Sequence, residues 1–149
     1  MTTNSSLTHF TDADLLTAVA EAASHERTAT AHLLTLLAAL DTRRLYLGAG
    51  CSSLFNYCTQ VIFLSEHAAY RRIEAARCAR RFPVVLERLA EGALTLTTIT
   101  LLAPHLTSAN VQEVLTAVGL IRFRGHNPKG GYDVPDVRYE TEANSAKLY

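Results

Sequence analysis

The sequence predicts an all-α fold: one compact multi-helix domain over residues 11–119 that contains a helix-turn-helix-like pair. A flexible N-terminus (1–10) precedes it and a poorly ordered, irregular tail (120–149) follows. Three observations predict this. From Asp12 to Tyr46 there is neither glycine nor proline, and alanine and leucine dominate; both are strong helix formers. Beyond that point glycine and proline recur at helix-length intervals, each closing a stretch with helical apolar spacing. The two-residue alternation of a half-buried strand is nowhere sustained, although the threonine-rich piece 95–100 is β-prone by propensity.

Each element can be justified in turn. Thr11 followed by Asp12 and Asp14 is an N-terminal helix signal, with acids where the helix dipole favours them. Leu16, Val19 and Ala23, then Leu33, Leu37 and Leu40, keep helical spacing. The polar piece Ser24–Thr30 admits either one long helix, roughly 50 Å at 1.5 Å per residue, or two antiparallel ones. The GAG at 48–50 is a helix end and a turn; the spacing of a nucleotide-binding glycine loop is absent. Ser52 or Ser53 can cap a short helix ending near Ile62, and Phe63–Ser65 breaks it. Ser65 caps the next helix, Glu66–Arg81, before Pro83. Pro83 suits the first turn of a further helix that Gly92 stops. A helix ended by Pro104 follows, then one capped by Ser108 and stopped by Gly119. From Gly125 to Pro135 glycine and proline cluster without period, which predicts few core contacts.

Composition narrows the function classes. A chain of 149 residues that is 48% hydrophobic and 19% charged has material for one ordinary core. Its longest apolar runs, such as Leu33–Leu40, are too short to span a bilayer. MTTNSSLTHFTD lacks the basic region and apolar core of a secretory signal. Three cysteines without a CxxC pair read as buried free thiols in a reducing cytoplasm. A zinc site needs a tighter Cys/His cluster. The expectation is a cytoplasmic protein without metal or cofactor.

The formal net charge of zero hides a pattern. Residues 1–42 carry a balance of −4 and residues 43–82 a balance of +5. Five arginines fall between Arg71 and Arg81, against Glu66 and Glu74. A short helix, a turn and a capped basic helix form the layout of a helix-turn-helix. On a helical wheel Ala68, Ala69, Ile73, Ala75, Ala76 and Ala79 make one broad side of small residues. The opposite side shows His67, Tyr70, Glu74, Arg77 and Arg81, with Arg71 on its flank. Such a face suits a major groove: arginine bonds guanine edges or phosphates, and tyrosine contacts phosphate or a thymine methyl. His67, Tyr70 and Arg71, near the helix N-terminus, are expected near base edges, and Arg77, Arg80 and Arg81 on phosphate. Arg72 falls among the alanines and is expected to snorkel or to pair with Asp41 or Glu87. The plainer reading is a solvated helix whose arginines pair with Glu74.

Four stretches taken together carry a family resemblance: RRLYLGAGCSSLFNYC (43–58), LSEHAAYRRIEAARCARRFP (64–83), LAEGALTLTTITLLAPHLT (89–107) and ANVQEVL (109–115). In this order and without large gaps they resemble the helical N-terminal region, of the domain of unknown function 222 type, that precedes the nuclease domain in many bacterial HNH endonuclease proteins. A looser likeness is to ParB-like DNA-binding domains. The resemblance implies an all-helical module associated with double-stranded DNA, with Glu66–Arg81 as its recognition helix. It ends near Gly119, which implies a family member truncated before the HNH module, with a frameshifted or recombined tail and no nuclease activity.

Two alternatives remain open. A divergent metal-dependent endonuclease would use His126 in GHNPKG, which lacks a paired histidine, a cysteine knuckle and a hairpin. A protein-interaction module would recruit another chain through an exposed apolar patch on the first helix, without DNA affinity at moderate salt; in the DNA-binding reading the same helix is the candidate surface for a homodimer. His25 and His32, seven apart, do not have metal-pair spacing, and His105 suits a helix end. No nucleophile elbow is present.

Overall fold

The computed structural model describes residues 9–124. The all-α expectation is what is observed: six α-helices, and no strand among the described residues. They are α1 (Asp12–Arg43), α2 (Leu54–Gln60), α3 (Glu66–Arg81), α4 (Val84–Ala90), α5 (Leu96–Leu102) and α6 (Val111–Arg124), with a 3-10 turn at Ala103–His105 after α5.

The helix starts follow from side-chain caps. The N–H groups of Asp14, Asn56, Ala68 and Thr98 donate to the hydroxyls of Thr11, Ser53, Ser65 and Thr95, at 3.1, 3.1, 3.2 and 3.1 Å. Each such cap is worth about 1 kcal/mol. Two of the stops need a left-handed residue. Arg44 closes α1 at φ 51°, its N–H turned back to the carbonyls of Asp41 and Leu40. Gly92 follows α4 at φ 82°. A side chain at Gly92 would be strained at this φ, and an added Cβ, 3.1 Å from Arg27 Nε, would push the Arg27 side chain aside. That Nε donates to the Ala90 carbonyl at 3.4 Å and so ties α1 to the end of α4.

The helix α3 runs through the middle of the packing and touches α1, α2, α4 and α5. Its alanines at 69, 75, 76 and 79 are buried; with no bulk beyond Cβ, they let neighbouring helices approach closely. The volume is filled from the surrounding elements by Leu34, Val85, Leu94, Ile99 and Leu115, all fully buried. Burying each is worth about 1.5–3 kcal/mol.

The sequence left α1 open between one helix and two; it is one helix of 32 residues, about 48 Å long. Only Ala31, Leu34 and Leu37 of it are buried. Its first half projects from the body, with Leu16 and Val19 73% and 60% exposed.

Three local expectations are corrected. Gly119 does not stop α6, which continues to Arg124. A glycine in a helix interior costs only about 1 kcal/mol, and Gly119 does not take the positive φ that a stop needs. Residues 120–124, expected in the tail, belong to α6; the rest of that expectation lies outside the described residues, as do residues 1–8 of the expected flexible N-terminus. Ser108 is not the cap before α6. Thr107 and Asn110 share that role: the Asn110 N–H donates to Thr107 Oγ1 at 3.2 Å, and the Thr107 N–H donates to Asn110 Oδ1 at 2.8 Å. The first short helix, expected to run to near Ile62 with a break at Phe63–Ser65, ends at Gln60, so the connection to α3 spans residues 61–65 and holds Phe63 at φ 56°. That left-handed value is costly for a bulky side chain.

Candidate nucleic-acid interface

The exposed side of α3 is set by what its other side buries. With Ala69, Ile73, Ala75, Ala76 and Ala79 in the core, the remaining arc, at 100° per residue, is about 140° wide. It carries Glu66, His67, Tyr70, Arg71, Glu74, Arg77 and Arg81. All but Glu74, which is half-buried, are exposed. Arg80 is exposed at the edge of this face, on the side of α1. The structure thus brings all six sequence-predicted site residues onto one helix surface.

It divides them into two sets. His67, Tyr70 and Arg71 make no side-chain hydrogen bond or ion pair among the described residues, and Phe55 of α2 joins Glu66, His67 and Tyr70 around a shallow open depression. The three later arginines are anchored. Arg77 Nε and Nη2 donate to the two carboxylate oxygens of Asp41 at 3.0 and 3.4 Å, while Nη1 lies 3.9 Å from Glu74. Arg80 Nη1 donates to Thr42 Oγ1 at 3.1 Å and sits 3.8 Å from Asp41. Arg81 Nη2 donates to the Leu106 carbonyl at 3.3 Å, and its guanidinium lies over the Phe82 ring, 4.9 Å from the centroid. The hydrogen bond to Asp41 raises the pKa of Arg77 against the opposing effect of burial. Arg77 and Arg80 remain about half exposed, whereas Asp41 is only 12% exposed.

The pairing of Arg72 with Asp41 or Glu87 is corrected. Arg72 Nη1 donates to the Ala68 carbonyl of its own helix at 3.3 Å, and its Nε is buried without a partner. Asp41 is already taken by Arg77, which reaches it from the neighbouring turn of α3.

Asp41 and Thr42, the anchors of Arg77 and Arg80, were not singled out as site residues by sequence reasoning. A signal was present. Asp41 stands in the last turn of α1, where the helix dipole disfavours an acid, so a cation from another element is the expected remedy. The same end of α1 adds Arg43 and Arg44, both exposed, next to Thr42.

The cysteines are free and buried. Burial pushes the thiols of Cys58 and Cys78 up, outweighing the opposing pull of Arg72 and Arg81, so neither is an activated nucleophile. No group of three or more metal-ligating side chains gathers among the described residues. His126 lies outside them. No described helix is long and apolar enough to cross a membrane.

No protein-family model, curated protein or solved structure matches the chain.

Proposed function

We propose that this chain is a double-stranded DNA-binding module that presents the exposed face of α3 to the major groove. One observation carries the reading. His67, Tyr70, Arg71, Arg77 and Arg81 share a single exposed arc on a helix whose opposite side is held in the core. A rigid helix bearing arginines along one face neutralises phosphates, and side chains near its N-terminus reach base edges. Arg77, Arg80 and Arg81 hold phosphate in this reading, and His67, Tyr70 and Arg71 read bases. The likeness to the helical region ahead of the nuclease in bacterial HNH endonuclease proteins supports the same role, without catalysis by this chain. The test is fluorescence anisotropy of labelled duplex DNA with the full chain in rising salt. Neutralising about four phosphates gives a log–log slope near −3 to −4. Absence of binding at low salt by folded protein would refute it.

A second surface supports a protein contact. The projecting half of α1 exposes Leu15, Leu16 and Val19, and Phe10 just ahead of it is exposed as well. Between residues 12 and 26 it carries four acids and no lysine or arginine, which repels phosphate. We propose that this half pairs with a second copy of the chain, as suits a helix-turn-helix protein that binds two half-sites. Sedimentation equilibrium should give a dimer that Leu16→Lys/Val19→Lys dissociates; a monomeric wild type at high concentration would exclude it.

A further inference from the structure

A cleft opens between the C-terminal half of α3 and the 3-10 turn after α5. Arg77, Arg80, Arg81 and Glu74 line it, Cys78 forms part of its lining from the core side, and Ala103 and Pro104 complete it. Three arginines thus line one small cleft, and two of them share the carboxylate of Asp41. Each guanidinium group is held by only part of its donor set. Arg77 gives Nε and Nη2 to Asp41, Arg80 gives Nη1 to Thr42, and Arg81 gives Nη2 to Leu106. An arginine has five N–H donors in a fixed fork, so each keeps donors to spare. Anchored arginines lose little side-chain entropy when they accept a ligand. The thiol of Cys78 stays neutral, because burial pushes its pKa up, and brings no negative charge to the cleft. Glu74, at 3.9 Å from Arg77 Nη1, is the one acid in the lining among the described residues and opposes an anion.

We propose that this cleft is a binding site for a single phosphate group, gripped by the unused donors of Arg77, Arg80 and Arg81, with Asp41 as the residue that positions Arg77 and Arg80. Planar, delocalised guanidinium groups match a tetrahedral phosphate through paired N–H donors. The site deepens the DNA reading and rests on it for the source of the phosphate, a backbone phosphodiester. A free phosphate presents the same chemistry.

The test uses the full chain and two probes, inorganic phosphate and duplex DNA, followed by NMR of the arginine Nε–H groups. Saturable shifts of the Arg80 and Arg81 signals on adding inorganic phosphate, with Arg71 unmoved, are expected. Glu74→Gln, which removes the opposing charge without emptying space, should tighten phosphate binding. Arg81→Lys, which keeps the charge but loses the fork, should weaken it about tenfold, the equivalent of one charge-assisted hydrogen bond. Duplex DNA should displace inorganic phosphate from these signals. If DNA binds while Arg80 and Arg81 stay unmoved by either probe, the cleft assignment falls and the DNA reading stands. If phosphate binds with these variant effects but DNA does not, the cleft stands as a free-phosphate site and the DNA source falls. Shifts that grow linearly without saturation, or that Glu74→Gln leaves unchanged, overturn the site.

Discussion

The two ends of α3 both present basic side chains, and the fold holds them differently. At the N-terminal end His67, Tyr70 and Arg71 stand on the surface with no hydrogen-bond or ion-pair partner among the described residues. At the other end Arg77, Arg80 and Arg81 are each fastened to another part of the chain: Asp41, Thr42 and the Leu106 carbonyl. In sequence the two sets are one basic run. In space one set is adaptable and the other is built in. Charge that must conform to different base edges gains from freedom, whereas charge that meets the same phosphate every time gains from being fixed beforehand.

That contrast can be broken or sharpened by substitution. The largest effect is expected where both ends lose their common support. Leu34 is fully buried in the core against which α3 packs, and Leu34→Ala should cost about 2–5 kcal/mol in chemical denaturation. A smaller loss would mean the core relaxes around the cavity and grips α3 less firmly than its packing implies. The next comparison separates the ends. Arg77→Ala should cost up to about 1 kcal/mol, discounted because Arg77 is about half exposed. Arg71→Ala should stay within about 0.5 kcal/mol. Equal losses would erase the distinction between an anchored and an adaptable end. In the turn that leads into the adaptable end, Phe63 is 84% exposed at φ 56° and buries little to offset its strain. Phe63→Gly should therefore stabilise the protein by roughly 0.5–1 kcal/mol, the left-handed strain less the added freedom of the unfolded chain. Destabilisation would show that the phenyl ring has a contact that matters.

The smallest effect concerns pH. Cys58 and Cys78 have thiol pKa values raised by burial. Below the unfolded-state value, about 8.5, the thiols are neutral in both states and stability is unaffected. Above it the unfolded chain ionises first and releases protons that the folded chain retains, so stability falls as pH rises towards the folded-state values. Denaturation midpoints at pH 8 and pH 10 should show this decline, and Cys58→Ala/Cys78→Ala should flatten it.

Much of this was legible in the sequence because it depends on local chemistry. Thr11 and Ser65 cap helices through their own hydroxyls, and the alanine side of α3 follows from a 100° wheel. The missed features depend on partners far along the chain. Nothing local to Arg77 says that Asp41, 36 residues earlier, will hold it while Arg72 turns back to Ala68. Gly119 misled because glycine is also tolerated inside a helix whose neighbours Val111 and Leu115 are buried. Continuity through Ser24–Thr30 was undecided because a polar stretch is compatible with a helix that projects into solvent.

The central claim is that the anchored arginines of α3 meet DNA phosphate. It is tested most directly by the salt dependence of duplex affinity, measured side by side for the wild type and Arg77→Ala/Arg81→Ala. The double variant is expected to bind more weakly, with a log–log slope shallower by up to about 1, because the two arginines grip one shared phosphate. Identical slopes, with both proteins folded, would contradict it.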